Sequence, residues 1–297
     1  MSLICKNHHY YSLFFMFIAH AVIILGMPSV SGAQMSEVDE NELSKINAQS
    51  GISYVIGDSQ YHITTDSYRF SDTDHDPHNW IQLNNITIDD GYGNPFSMNT
   101  PANEADFNTI DVGTDVAGLT HVLLNLSMNV DPRTYTIGNF VFCNQDLGSL
   151  RLEDYRNAPS NRLTFTARND GSSGINFDYQ TEIMIGAAKF IYNNTPESLS
   201  LSNIHLSEYA YGDPADPTSW YYSGKFKLGD PANNNPATID VGTVDNGDGT
   251  TTTSVFYNIP MKGSIRVQDV NFGGKSLGPC AIDGINVHRL GIQIPGN

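Results

Sequence analysis

Between Thr120 and Val130 the apolar residues Val122, Leu124, Leu126, Met128 and Val130 alternate with His121, Asn125, Ser127 and Asn129. Side chains of an extended chain point to opposite faces in turn, so this period of two predicts a strand buried on one face. The same pattern predicts strands over Tyr135 to Phe142, Ser149 to Leu152, Arg162 to Ala167, Ile175 to Tyr179, Glu182 to Ile185, Thr252 to Tyr257, Ser264 to Val270 and Leu290 to Ile294. Turn signals separate them: Asp89-Asp90-Gly91, Asn169-Asp170-Gly171, Asn246-Gly247-Asp248-Gly249 and Gly273-Gly274. No long amphipathic helical period follows Gly51, which argues against βαβ units. Ahead of it, Ser36 followed by Asp39 resembles a capping box, acidic residues fill the first turn and Gly51 offers a stop, so one short helix is expected within residues 34–51.

The strand text is duplicated. Thr109-Ile110-Asp111-Val112-Gly113-Thr114 returns unchanged as Thr238-Ile239-Asp240-Val241-Gly242-Thr243. Ile81 to Ile88 and Leu199 to Leu206 form related patterns upstream, and Leu147-Gly148 and Leu277-Gly278 follow downstream. One supersecondary unit was copied, and copies of this kind stack to share a core. The expected fold is therefore all-β: an internally duplicated antiparallel β-sandwich or β-roll with one short N-terminal helix, spanning 52–297 with copies at about 80–168 and 198–297. The alternative is a β-solenoid, because short runs such as Ile265-Arg266-Val267, Cys280-Ala281-Ile282 and Ile285-Asn286-Val287 would also serve as rungs.

The first 33 residues carry Lys6, an uncharged apolar run from Ser12 to Met27, and Ser31-Gly32-Ala33, the layout of a secretory signal peptide. The run is too short for a membrane anchor, and no transmembrane segment is expected elsewhere. The formal net charge of −17 becomes −18 on cleavage, because Lys6 is the only charged residue removed. Such acidity disfavours nucleic acid and anionic lipid as partners, since binding either needs clustered Lys and Arg. Localisation to the periplasm, outer surface or extracellular space is expected. There Cys143 and Cys280 either close a disulfide or remain two thiols.

Asp72, Asp74 and Asp76 place three carboxylates at alternate positions of a loop, as calcium ligation requires; the competing reading is a solvated acidic loop. Asp245 to Gly249 is a second acidic turn that reads equally as a plain hairpin. His75 and His78 beside Asp74 and Asp76 are weaker transition-metal candidates. Trp80, and Trp220 with Tyr221 and Tyr222, are candidates for a sugar-stacking surface, or else anchor loops on the sheet. Glu153, Asp178 and Glu182 are candidate hydrolytic carboxylates whose spacing selects no pair, and no nucleophile elbow, Walker loop or zinc-protease helix is present. No catalytic residue and no obligatory cofactor is expected.

The segment Glu42-Leu43-Ser44-Lys45-Ile46-Asn47-Ala48-Gln49-Ser50-Gly51-Ile52, directly after the signal peptide, resembles the N-terminal box of an uncharacterised family of exported bacterial β-repeat proteins. Some of that family are labelled pilus-system or cell-surface proteins. The resemblance implies a Gram-negative exported β protein linked to surface appendages, and implies no catalytic residue. The function expected is thus an exported structural or assembly protein of the bacterial envelope or an appendage, with envelope proteins or its own copies as partners. The alternative is an adhesin-like or carbohydrate-binding module stabilised by calcium, with a glycan-active β enzyme third.

Overall fold

The computed structural model describes residues 52–70, 81–100, 108–114, 120–126, 129–157, 161–167, 173–193, 195, 197–230, 235–245 and 247–295. The expected signal peptide and N-terminal helix, together with Asp72, Asp74, His75, Asp76, His78 and Trp80, lie outside the described residues.

The first half of the chain forms β1 (Ile52–Tyr54), β2 (Ser59–Tyr61), β3 (Ile63–Phe70), β4 (Ile81–Asp89), β5 (Phe96–Asn99), β6 (Asn108–Thr114), β7 (Thr120–Leu126), β8 (Asn129–Val130), β9 (Arg133–Phe142), β10 (Gln145–Asn157) and β11 (Asn161–Ala167). The second half forms β12 (Ser173–Thr181), β13 (Ile183–Tyr192), β14 (Ser198–Ser207), β15 (Tyr209–Tyr211), β16 (Tyr221–Ser223), β17 (Phe226–Leu228), β18 (Ala237–Asp245), β19 (Thr251–Asn258), β20 (Met261–Phe272), β21 (Lys275–Val287) and β22 (Gly291–Pro295).

Two antiparallel runs result. The first layer is ordered β3-β4-β9-β10-β13-β14-β20-β21. The second is ordered β1-β6-β7-β11-β12-β18-β19-β22. Strand β17 pairs with β12 on one side and β20 on the other, and so bridges the layers. Every pairing between these strands is antiparallel, so the parallel rungs of a solenoid do not build this fold. The segments that looked like rungs, Cys280 to Ile282 and Ile285 to Val287, are parts of one strand, β21. It continues through Gly284 because that residue adopts the left-handed region (φ 66) and absorbs a bulge.

The twin hexapeptides occupy corresponding places. In β6 and β18, Thr109 faces Asn125 and Thr238 faces Asn258, while Ile110 faces Ile52 and Ile239 faces Ile175. The correspondence reaches further upstream than the repeated text, back to β1 and β12. Irregularities were copied as well. Asn85 and Asn203 hold the left-handed region at the same point of β4 and β14 (φ 52 and 46), a conformation short amide side chains tolerate. The β9–β10 hairpin turns at Cys143 and Asn144 (φ 48 and 60), and the β20–β21 hairpin at Gly273 and Gly274 (φ 57 and 78). Two successive positive φ values mark the turn whose twist suits a two-residue hairpin.

Register rows explain the core. Ile88, Tyr135, Leu152, Ala188, Leu201 and Val270 face one another in sequence across six strands, from copy one into copy two. One position along each strand, the row reads Thr87, Thr136, Arg151, Lys189, Ser200 and Asn271. The first row faces inward and the second faces outward. Tyr135, Tyr155 and Ile183 centre the buried cluster, with Ile88, Leu152, Ile185 and Leu206 packed around them. Burying each large apolar side chain contributes about 2 kcal/mol. Buried Arg133 lies in the same region: Nε donates to the Tyr135 hydroxyl (2.7 Å), Nη2 donates to Asn157 Oδ1 (2.6 Å), and the guanidinium sits 4.6 Å from the Tyr155 ring centre. Asn157 Nδ2 in turn donates to Thr181 Oγ1 of β12 (3.2 Å), tying the layers together. Burial pushes the Tyr155 hydroxyl far above its ordinary value, so it stays protonated.

Gly148 and Gly278 are equivalent positions with different neighbours. Both have positive φ (128 and 90), but a Cβ on Gly148 would lie 1.9 Å from the Ile191 carbonyl oxygen, whereas one on Gly278 would meet nothing within 4 Å. Gly148→Ala should therefore destabilise the chain by about 3 kcal/mol, against about 1 kcal/mol for Gly278→Ala. Urea unfolding of the two variants checks the contrast, and equal losses would contradict it.

Candidate functional site

Each copy sends an excursion from the end of a first-layer strand onto the polar outer face, and an arginine holds each one down. In copy one the excursion is the turn after β4, residues 90–95. Arg151 of β10 donates from Nη2 to the Gly91 carbonyl (3.0 Å), and its Nε lies 3.3 Å from Glu153. In copy two the excursion is longer, residues 208–225. Arg266 of β20 faces the Gly212 carbonyl at 3.4 Å and makes a two-pronged pair with Asp283 of β21 (2.9 and 2.7 Å). In register, Arg151 faces Thr136 and Arg266 faces Ala281, so the cation has changed strand within the hairpin while its acidic partner and glycine target remain. Arg266 is only 2% exposed, and a fork-to-fork carboxylate pair is the arrangement that best offsets its loss of water.

The copy-two excursion pairs β15 with β16, Tyr211 facing Tyr221, around a single 3-10 turn at Pro217–Ser219. Asp216 caps that turn by accepting from the Thr218 backbone N–H (3.0 Å). Trp220 packs against Arg266, ring centre to guanidinium 4.9 Å, and its indole N–H donates to the Asp213 carbonyl (2.7 Å). Tyr222 stacks on His205 with centroids 3.6 Å apart and planes 9° from parallel. His205 Nε2 lies 2.7 Å from Glu182 Oε1, and His205 faces Arg266 across the β14–β20 pair. Trp220 and Tyr222, two of the candidate sugar-stacking residues, thus each turn a ring face onto the sheet. In that arrangement they fasten the excursion.

Other aromatics face solvent instead. Tyr211 and Tyr221 stack at 4.8 Å and 13°, Tyr209 lies 6.3 Å from Tyr211, and all three are exposed. Tyr92, on the copy-one turn, is 89% exposed. Both excursions therefore present tyrosine outward above a clamped glycine, Gly91 (φ 90) and Gly212 (φ 96). Of these tyrosines the sequence marks only Tyr221, beside Trp220, as a stacking candidate; Tyr92, Tyr209, Tyr211 and both arginines carry no such mark. The signal available was the adjacency of tyrosine and glycine, Gly91-Tyr92-Gly93 and Tyr211-Gly212, inside the turn-rich segments.

The remaining candidates are dispersed. Glu153 pairs with Lys189 (2.8 Å) across the seam between copies, Glu182 serves His205, and Asp178 faces Thr164 in the second layer. Asp245 and Asp248 accept from the backbone N–H groups of Gly247 and Thr250 (2.8 and 2.9 Å), which makes that acidic segment the β18–β19 hairpin turn. Among the described residues, no cluster of three His, Cys, Asp or Glu is arranged to hold a metal. Cys143, half-buried in the β9–β10 turn, and Cys280, exposed on β21, are thiols not joined to each other. Among the described residues, no helix is long and apolar enough to cross a membrane.

Residues 14–118, about a third of the chain, are similar to a family described as a family of unknown function (DUF6160). The match ends just beyond the first hexapeptide. No curated protein and no solved structure matches the chain.

Removing the clamp should free the excursion and leave the sheet. Arg266→Ala strands Asp283 and uncovers Trp220, at a cost of about 3 kcal/mol. Hydrogen exchange is expected to quicken selectively in residues 209–223, and uniform quickening across β13 and β14 would contradict the assignment. Burial holds the His205 imidazole below its ordinary value despite the opposing pull of Glu182. The unfolded chain then binds the proton more readily, so stability is full above about pH 6.5 and falls as pH drops through that value. His205→Gln should lose this part of the melting temperature's pH dependence between pH 7.5 and 5.5; an unchanged slope would refute it.

Proposed function

We propose that the chain is an exported structural or assembly protein of the bacterial envelope or a surface appendage, acting through the surface it presents. One observation carries the reading: corresponding excursions on the same face of a continuous sheet each hold tyrosine out to solvent, fixed from below by a buried or ion-paired arginine. Tyrosine offers a large, rigid contact area with few side-chain torsions to immobilise, and it is enriched at interfaces for that reason. Two of the three carboxylates that would serve hydrolysis, Glu153 and Glu182, are engaged with Lys189 and His205 instead. The leader-like N-terminus, with Lys6, the apolar run from Ser12 to Met27 and Ser31-Gly32-Ala33, supports an exported protein without naming its partner.

The tyrosine stack favours a second reading, a glycan-binding module. Tyr211 and Tyr221, rather than Trp220, would then supply the faces on which sugar rings bury their apolar side. One comparison separates the readings. The native protein is followed through cell fractionation, and the purified chain is applied to a glycan array beside Tyr211→Ala and Tyr221→Ala. Assembly predicts co-sedimentation with envelope or appendage material and no glycan retention. Glycan binding predicts retention lost in both variants at unchanged melting temperature. Recovery of the protein free in the cytoplasm would refute both.

A further inference from the structure

The seam between the two copies is a head-to-tail interface whose two halves recur at opposite ends of the first layer. At the seam, β10 of copy one pairs along nine positions with β13 of copy two. The equivalent of β10 in copy two is β21, and the equivalent of β13 in copy one is β3. Each has a neighbour on one side, β20 and β4 respectively, and among the described residues no strand pairs with the other side.

Exposure tracks this difference at the large apolar positions. Leu147 and Leu152 are half-buried on β10, while their counterparts Leu277 and Ile282 on β21 are 71% and 51% exposed. Tyr68 on β3 is likewise exposed, whereas its counterpart Ala188 at the seam is half-buried. The chemistry of the seam is repeated too. Glu153 crosses it to Lys189 at 2.8 Å, and Asp283 and Arg69 stand at the corresponding positions of β21 and β3.

We propose that the first layer continues between molecules: β21 of one chain pairs antiparallel with β3 of a second copy in the register of the internal seam. Ile282 then faces Tyr68, Ala281 faces Arg69, Ile285 faces Thr65 and Val287 faces Ile63. Pro279 stands where β10 has Ser149 and removes one N–H at the hairpin end, so the new ladder runs from Cys280 to Val287. The two surfaces differ, so pairing does not close on itself and generates a linear series of chains. This inference rests on the assembly reading and names its partner as the chain itself.

The test uses the full exported chain. Sedimentation velocity over a rising concentration series is expected to show growth beyond dimer. Ile282→Lys and Tyr68→Lys each place a charge on an edge strand and should leave monomer, with melting temperature showing that the fold survives. In a background with Cys143→Ser and Cys280→Ser, Tyr68→Cys combined with Ile282→Cys should give on oxidation a ladder of disulfide-linked multimers. Either single cysteine variant should stop at dimer. A chain that stays monomeric at every concentration and gives no ladder overturns the proposal. If that monomer still co-sediments with envelope material, assembly stands with another partner; if it does not, the assembly reading falls as well.

Discussion

The backbone hydrogen-bond ladder across the seam is the interaction on which the remainder of the structure depends. A single copy of this unit has two half-layers with four edges, and each edge carries a row of N–H and C=O groups that need partners. Joining β10 to β13 in one layer and β11 to β12 in the other removes four of the eight edges of two copies at once, two from each. It also lets apolar rows run from copy one into copy two without a break. Tyr155 and Ile183, on opposite sides of the seam, share one buried cluster for this reason. The copies are therefore not two domains in contact but two lengths of the same pair of sheets, consistent with stability that depends on neighbouring units.

Much of this was legible in the chain. Alternation identified strands because a sheet with one face in water must alternate, and the repeated hexapeptide marked equivalent strands because the same text met the same neighbours. Strand length was less legible. Ser149 to Leu152 is a fragment of β10, which continues to Asn157 through left-handed Asp154, and Glu182 lies between two strands although it was expected to begin one. Bulges shift the alternation by one residue, so a period-two reading ends where the strand does not. In the sequence Trp220 reads either as an anchor or as a platform. Choosing between them needs the position of Arg266, which lies 46 residues away in sequence and arrives over the ring only because β20 pairs with β14.

The exchange between Arg151 and Arg266 shows what selection on a duplicated sheet can vary and what it retains. Across a hairpin, two facing residues reach much the same space above the outer face, so a cation supplied from either strand meets the same acid and the same carbonyl. The acid is Glu153 in copy one and the shorter Asp283 in copy two. What grew is the excursion beneath which the clamp acts: a short turn carrying Tyr92 in copy one, and a strand pair carrying Tyr209, Tyr211 and Tyr221 in copy two. Trp220 and Tyr222 are the extra fastenings that a longer excursion requires, since more backbone must be ordered against its conformational entropy.

A heavily acidic chain that exposes apolar positions along its outermost strands combines two tendencies that oppose each other. Self-repulsion acts over about 8 Å at physiological ionic strength and so is felt mainly by charges already close together. Strand pairing, in contrast, is made at contact, and here the contacting positions on β21 and β3 are chiefly apolar or uncharged, with Arg69 and the acids Asp66 and Asp283 as the charged residues among them. The general charge thus discourages indiscriminate clustering while leaving the matched register available. Reversed or slipped pairings gain no such relief, because a slip of one residue would put the inner apolar row against the outer polar one. The duplication supplies the register, and the charge supplies the selectivity.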